Sequence, residues 1–158
     1  MRPGIESYLQ RVAAVELRLG ALGRPLVGLT APDGRDGERW EAAQVWGHIT
    51  EFVPYWIEQI EEVLDDPGRG PLGRTRSDPD RLAGIESGRT MAFEVHLHWL
   101  AQHLAELRGF LGALTDEDWE KEGVHPTLGG MSLDRMIEEF LVGHLEQHAT
   151  QLETLATG

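Results

Sequence analysis

Cysteine is absent from this chain of 158 residues. The fold therefore contains no disulfide bond, and a bound metal ion would be held by His, Asp or Glu rather than by thiolates. The chain also has no nucleophilic thiol of its own. A reaction that needs a thiolate must therefore recruit an external thiol.

Basic residues are scarce as well. The chain carries 14 Lys and Arg residues against 27 Asp and Glu residues, which gives a formal net charge of −13. Because phosphate contacts dominate the affinity of proteins for nucleic acids, this composition argues against a nucleic-acid-binding role. Steering by the net charge also disfavours strongly anionic ligands, except at local arginine clusters such as Arg69, Arg74, Arg76 and Arg81.

Long apolar runs are missing too. No segment approaches the length of a membrane span, and Glu6 and Arg11 interrupt the N-terminal segment, where a signal peptide would need an apolar run. We therefore expect a soluble cytoplasmic protein without a membrane partner. The length suits a single domain, residues 1–158, with a sizeable core.

Helical periodicity is what the chain has in abundance. Apolar residues recur at helical spacing over about 5–22, 40–64, 80–114 and 133–155, and segments rich in Gly, Pro and Asp separate the first three of these ranges. Pro54 predicts either a kink in the second helix or two helices that meet at Phe52–Val53. No segment predicts a β-strand. Four long amphipathic helices indicate an all-α four-helix bundle.

Histidine occupies positions on the apolar stripes of two predicted helices. His144 and His148 are four residues apart, so both imidazoles leave one face of the last helix, one turn apart. His48 lies on the stripe of the second helix, together with Phe52 and Trp56. The three histidines can hold one metal ion, and three neutral imidazoles leave one side of that ion open for water or substrate. The alternative is that they are core histidines with hydrogen-bonded partners.

Further candidate residues surround this predicted metal site. Phe52 and Trp56 would hold a substrate against it. His96 and His103 face inward on the third predicted helix. Because about 10.5 Å of helical rise separates them, they cannot both bind one ion, and one of them could line the pocket or supply a fourth ligand. No residue is an unmistakable general base, so the catalytic residues stay unassigned. Glu51 is the nearest candidate, although orienting a histidine ligand suits it better.

Two other metal-binding patterns do not fit the sequence. A carboxylate di-iron bundle needs Glu-x-x-His on two helices, but the single occurrence here, from Glu122 to His125, lies in a predicted loop. A zinc-protease helix needs His-Glu-x-x-His, whereas the order His144-Leu-Glu-Gln-His148 turns Glu146 away from both histidines. A Gly-x-Ser-x-Gly nucleophile elbow is also absent.

The spacing of these residues resembles that of the DinB/YfiT-like family of proposed metalloenzymes. The resemblance covers nearly the whole chain. It rests on Trp40 opening the second helix, His48 followed by Glu51, the entry Gly129-Gly130-Met131-Ser132-Leu133 and the pattern His144-x-x-x-His148-x-x-Gln151. It implies an up-down-down-up four-helix bundle, often a homodimer, with a divalent metal bound where His48, His144 and His148 stand here.

The resemblance also implies a range of activities. Family members include S-transferases and isomerases that use the thiols mycothiol or bacillithiol. We therefore favour a metal-dependent enzyme in which the metal activates an external low-molecular-weight thiol for attack on an electrophilic small molecule. A hydrolase that uses metal-bound water is the alternative for the same site, and a non-catalytic metal-binding stress-response module is a third hypothesis. Zinc or nickel suits three imidazoles, and iron is a further alternative.

Large apolar residues outside the predicted core stripes favour a homodimer. Trp46 on the second helix, and Leu97 and Leu104 on the third, lie off the stripes that face the core. Single exposed apolar residues are common on any protein surface, whereas clustered ones are typical of an interface.

Overall fold

The secondary structure is mainly helical. The computed structural model describes residues 2–22, 27–35 and 37–157. Its helices are α1 (Pro3–Gly20), α2 (Ala42–Asp65), α3 (Pro79–Ser87), α4 (Phe93–Ala113), α5 (Leu133–Ile137) and α6 (Gly143–Thr157). An antiparallel hairpin pairs β1 (Glu122–His125) with β2 (Gly129–Ser132). α1 and α2 begin and end within two residues of the predicted bounds.

The longest helix, α2, is continuous through Pro54. The alternative of two helices that meet at Phe52–Val53 is therefore wrong, and the kink expected at Pro54 stays a prediction. At its first turn the backbone N–H of Glu41 donates to the side-chain oxygen of Gln44, over 2.9 Å. Phe52 and Val53 are fully buried, so the inner face of α2 lies in the core of the protein.

The predicted third helix, 80–114, is broken in the structure. α3 is followed by a 3₁₀ turn, Gly88–Thr90, and by two extended residues before α4 begins. The break lies where the chain crosses α2, because a Cβ on Gly88 would be 2.4 Å from the carbonyl oxygen of Ala43. Arg89, within this break, has an exposed side chain.

The last helical segment contains an irregular turn. α5, a π turn over Glu138–Val142 and α6 follow one another without interruption from Leu133 to Thr157. The side chain of Ser132 caps this segment by accepting a hydrogen bond from the backbone N–H of Arg135, over 3.2 Å. The long final helix is therefore present within two residues of its predicted bounds, but its register changes in the middle.

The hairpin contradicts the prediction that the chain has no β-strand. Its strands have four residues each, and only Gly123 and Met131 are buried in them. Their alternation is therefore too short to be recognised in the sequence. The segment that holds Glu122 and His125 is a strand rather than a loop. The hairpin also anchors the loop after α2, because the backbone N–H of Leu72 donates to a β1 carbonyl over 2.9 Å.

Four helical units pack around one core. α1 contacts α4 and α6, α2 contacts the same two helices, and the short α3 lies against α2. The expected four-helix bundle is therefore confirmed. Within residues 2–22, 27–35 and 37–157, no helix is both long enough and apolar enough to cross a lipid bilayer.

The residues from which a homodimer was inferred are largely covered within the chain. Trp46 is 3% exposed and packs edge-on against Phe93 of α4, with 5.6 Å between ring centroids. Leu104 is fully buried, and Leu97 is partly buried against the core. The expectation that these residues lie on the surface is wrong, because α2 and α4 cover one another at this face. They give no support to a homodimer.

Candidate metal centre

Three imidazoles converge at one point between α2 and α6. The Nε2 atom of His144 lies 3.1 Å from Nε2 of His48 and 3.1 Å from Nε2 of His148. One ring nitrogen from each residue lies within 4.8 Å of the others. In a tetrahedral site with Zn–N distances of about 2.0–2.1 Å, two ligand nitrogens are roughly 3.3 Å apart. The spacing of the three histidines therefore fits one metal ion.

The other ring nitrogens of two histidines have oxygen partners. Nδ1 of His48 lies 2.7 Å from a carboxylate oxygen of Glu51, and Nδ1 of His148 lies 2.7 Å from the side-chain oxygen of Gln151. Because both oxygens accept hydrogen bonds, each Nδ1 carries the proton and each Nε2 presents its lone pair to the centre. Metal-binding histidines are typically oriented in this way.

These partners argue against three core histidines that satisfy only one another. Once His48 and His148 donate through Nδ1, both of their Nε2 atoms are acceptors. His144 can then offer a single proton to two acceptors that lie 3.1 Å away on either side. A cation at the centre would instead use all three lone pairs. The hydrogen-bond inventory thus favours a bound ion over the alternative of ordinary core histidines.

Burial keeps the three histidines in the neutral form. Loss of solvent lowers the pKa of His48 and the pKa of His144 well below the ordinary value, and it lowers the pKa of His148 to about 4. For His48 and His144, the neighbouring imidazoles and the charge of Arg81 lower the pKa further. Neutral imidazole is the form that binds a metal ion, so the group is ready to do so near pH 7.

The chain also matches a known family. Residues 9–152 match the family model of the DinB superfamily. The chain belongs to the DinB superfamily. None of the curated proteins compared with it is significantly similar in sequence.

Among solved structures, this DinB protein is similar to one from Bacillus subtilis. That protein, YfiT, is described as a probable metal-dependent hydrolase with an unusual four-helix bundle topology. The two proteins share 16% sequence identity with a TM-score of 0.76, over 99% of this chain and 88% of the other. At this identity the likeness shows a common fold.

Close packing of α2 on α3 positions His48 and its oxygen partner. A Cβ on Gly47 would lie 2.7 Å from the carbonyl oxygen of Ile85, and a Cβ on Gly84 would lie 2.7 Å from the Cβ of Glu51. Only glycine permits this approach of the two backbones. α3 therefore encloses the Glu51 side chain, and Glu51 also forms an ion pair with Arg74.

The enclosure of Glu51 shifts the pKa of its carboxyl group. Burial raises the pKa of Glu51 to about 7, although Arg74 opposes the rise. Its carboxylate reaches the centre only through Nδ1 of His48. The geometry therefore supports the orienting role that was expected from the sequence over direct proton transfer.

The π turn sets the register of His144 and His148. A Cβ on Gly143 would lie 2.4 Å from the carbonyl oxygen of Glu138, five residues earlier. The glycine thus permits the wider turn just before His144. Turns of this kind are frequent at functional sites, where they redirect side chains within a helix. The sequence signal for it is limited to this one glycine.

Aromatic rings surround the centre. The ring of Phe52 lies 4.4 Å from that of His144, and the indole of Trp40 stacks on His148 at 6.2 Å. Trp56, which was expected in the pocket, instead stacks on Phe140, with 3.9 Å between ring centroids. Phe52 therefore contacts the histidines directly, whereas the observed ring contacts of Trp56 are with residues outside the group.

His96 and His103 lie outside the histidine group. His96 Nε2 donates to the carbonyl oxygen of Gly88 over 3.0 Å, and its ring lines a separate cavity of about 490 Å³ with Trp46. His103 lies 3.4 Å from a carboxylate oxygen of Glu106. Within the described residues, neither histidine joins the group of three.

Proposed function

We propose that this DinB protein is a divalent-metal-dependent enzyme whose ion is held by His48, His144 and His148. The observation that carries the proposal is the convergence of three Nε2 atoms, two of them in rings oriented through Nδ1. Neutral imidazoles suit zinc or nickel, and iron is the alternative. Glu51 and Gln151 would fix the ring orientations on which the affinity for the metal depends.

The reaction that we propose is transfer of an external low-molecular-weight thiol, such as bacillithiol or mycothiol, to an electrophilic substrate. A bound divalent ion would supply the positive charge that lowers the pKa of such a thiol. The absence of cysteine supports a thiol that comes from outside the chain. Phe52 would offer an apolar surface to the substrate, because its ring already contacts His144.

Metal-dependent hydrolysis is the second candidate. The description of YfiT as a probable metal-dependent hydrolase favours it. The same three histidines would hold the metal ion, and water would take the place of the thiol. The two candidates differ in one requirement, since only transfer consumes a thiol.

Product analysis separates the candidates. Protein purified without a histidine tag is loaded with zinc or with nickel and incubated with an aryl chloride or an aryl ester, with and without bacillithiol. An adduct that needs both metal and thiol supports transfer. Metal-dependent release of the acid or phenol without thiol supports hydrolysis. If His144→Ala matches the loaded wild-type protein in both assays, the site is not catalytic and the protein is a binding module.

We also propose a homodimer, on the resemblance to the family alone. Solution mass measurements test it directly.

A further inference from the structure

Arg81 is a buried cation that has no direct ion-pair partner among the described residues. Its side chain lies on α3 and is 8% exposed. Its Nη1 donates to the backbone carbonyl of Arg76 over 2.7 Å. No carboxylate within residues 2–22, 27–35 and 37–157 forms a direct ion pair with it, and the charges of Glu51 and Glu38 act on it from a greater distance. Burial lowers the pKa of its guanidinium from the ordinary value. A buried charge without a counter-charge in direct contact is costly and therefore calls for a functional explanation.

Arg74 provides the contrast within the same region. It is partly buried, forms an ion pair with Glu51 and stacks on the ring of Tyr55 at 3.8 Å. Glu51 therefore already has a positive partner. Arg81, by contrast, feels the charge of Glu51 only at a distance and has no direct ion-pair partner among the described residues.

Arg81 and His48 both lie near the ring of Trp40. Its guanidinium carbon is 5.7 Å from the ring centroid of Trp40, and the Trp40 ring is 5.2 Å from that of His48. The guanidinium is therefore no more than about 11 Å from the His48 ring. Its charge also contributes to the lowered pKa values of His48, His144 and His148.

A bound metal ion would add further positive charge near Arg81. Three neutral imidazoles leave both charges of a divalent ion uncompensated, and Arg81 adds a third positive charge nearby. Such charges repel one another strongly in a partly buried site, unless an anion binds between them. A guanidinium is well suited to that anion, since its planar fork matches carboxylate and phosphate oxygens.

We propose that Arg81 binds an anionic group, a carboxylate or a phosphate, of the substrate that occupies the histidine centre. This inference rests on the proposed metal-dependent function and names its substrate class. It places the anion at a member of the arginine cluster that is an exception to the effect of the net charge of −13.

Two binding measurements test the proposal. In the first, cobalt-loaded wild-type protein, Arg81→Met and Arg89→Met are titrated with acetate and with inorganic phosphate, and binding is read from the visible spectrum of the cobalt ion. Methionine keeps an apolar stem against Trp40. Arg89 is an exposed control that pairs with Glu41 and Glu86. We expect Arg81→Met to weaken anion binding tenfold or more, about the value of one charge-assisted hydrogen bond, and Arg89→Met to leave it unchanged.

The second measurement is the affinity for the metal itself in the absence of added anion. Removing a positive charge about 11 Å away should strengthen metal binding by about threefold or more, whereas loss of a merely structural residue would weaken it. Arg81→Lys provides a second variant in case Arg81→Met does not fold. It keeps the charge but loses the fork, so its metal affinity should equal that of wild type while its anion affinity falls.

The outcomes distinguish this inference from the function on which it rests. Wild-type protein that takes up no metal overturns the proposed function and the inference together. Loaded wild-type protein that binds neither acetate nor phosphate overturns the inference alone. Equal anion affinities in wild type and in the folded Arg81 variants also overturn the inference alone. Tighter binding of acetate than of phosphate identifies a carboxylate substrate, and the reverse order identifies a phosphate.

Discussion

Replacing Gly47 by alanine tests whether the close packing of α2 on α3 positions the histidine centre. A Cβ at this position would lie 2.7 Å from the carbonyl oxygen of Ile85, 2.9 Å from that of Gly84 and 2.9 Å from the Cα of Gly88. All three neighbours are backbone atoms, so they cannot rotate away as a flexible side chain would. The two backbones must separate to admit the methyl group.

A matched control isolates the cost of that separation. Gly109 also lies inside a helix, α4, but a Cβ there would meet nothing within 4 Å. Alanine in place of glycine inside a helix stabilises the fold by about 0.5–1 kcal/mol in either variant, so this gain cancels in the comparison. Gly47→Ala should therefore have a free energy of unfolding about 1–3 kcal/mol lower than that of Gly109→Ala, which is the usual cost of overpacking.

Urea unfolding of the metal-free protein, followed by circular dichroism, measures the difference. The reasoning also predicts weaker metal binding in Gly47→Ala, since the displaced residue precedes His48. Free energies of unfolding within about 0.5 kcal/mol of one another would show that the close approach does not constrain the fold.

Three further predictions concern the ligands and the assembly. Gln151→Leu removes the acceptor for Nδ1 of His148 and should weaken metal binding about tenfold or more, whereas Gln147→Leu, on the exposed face of α6, should not. Equal dissociation constants for the two variants would rule out the orienting role. His103→Ala should keep its metal, because that ring interacts with Glu106 instead, and loss of the metal would reveal a fourth ligand. Light scattering at micromolar concentration should give the mass of a dimer, and a monomer would refute the homodimer.

The positions of the three histidines could be predicted because each one interrupts an apolar stripe of a helix that the sequence defines well. His48 lies on α2, and His144 and His148 lie on α6, within helices found close to the predicted bounds. Helical spacing alone then places two imidazoles on one face. Whether these two imidazoles meet His48 depends on how the helices of the bundle pack. The apolar stripe of a single helix does not specify that packing.

The break between α3 and α4 could not be predicted, because its cause lies elsewhere in the chain. The apolar period of the sequence continues across Gly88, and no proline marks the interruption. The contact with Ala43 and Gly47 of α2 forces the chain to turn there. The apolar periodicity of one segment carries no information about where that segment crosses another helix.

The burial of Trp46 could not be predicted for a related reason. The sequence predicted one core stripe for α2, but this helix contacts α3 and α4 as well as α6. Trp46 faces α4, where Phe93 and His96 contact its ring. A central helix buries a wider arc than one stripe, and a large aromatic off the stripe then lies inside the protein rather than at an interface.

The most direct test of the account is the metal content of histidine variants. Wild-type protein, His48→Ala, His144→Ala and the exposed control His98→Ala are expressed without a histidine tag, and metal-to-protein ratios are measured by elemental analysis after circular dichroism confirms a helical fold. We expect about one divalent ion per chain in wild type and in His98→Ala, and almost none in the other two variants, because two imidazoles bind a metal ion far more weakly than three. Full metal retention in both His48→Ala and His144→Ala would contradict the three-histidine centre.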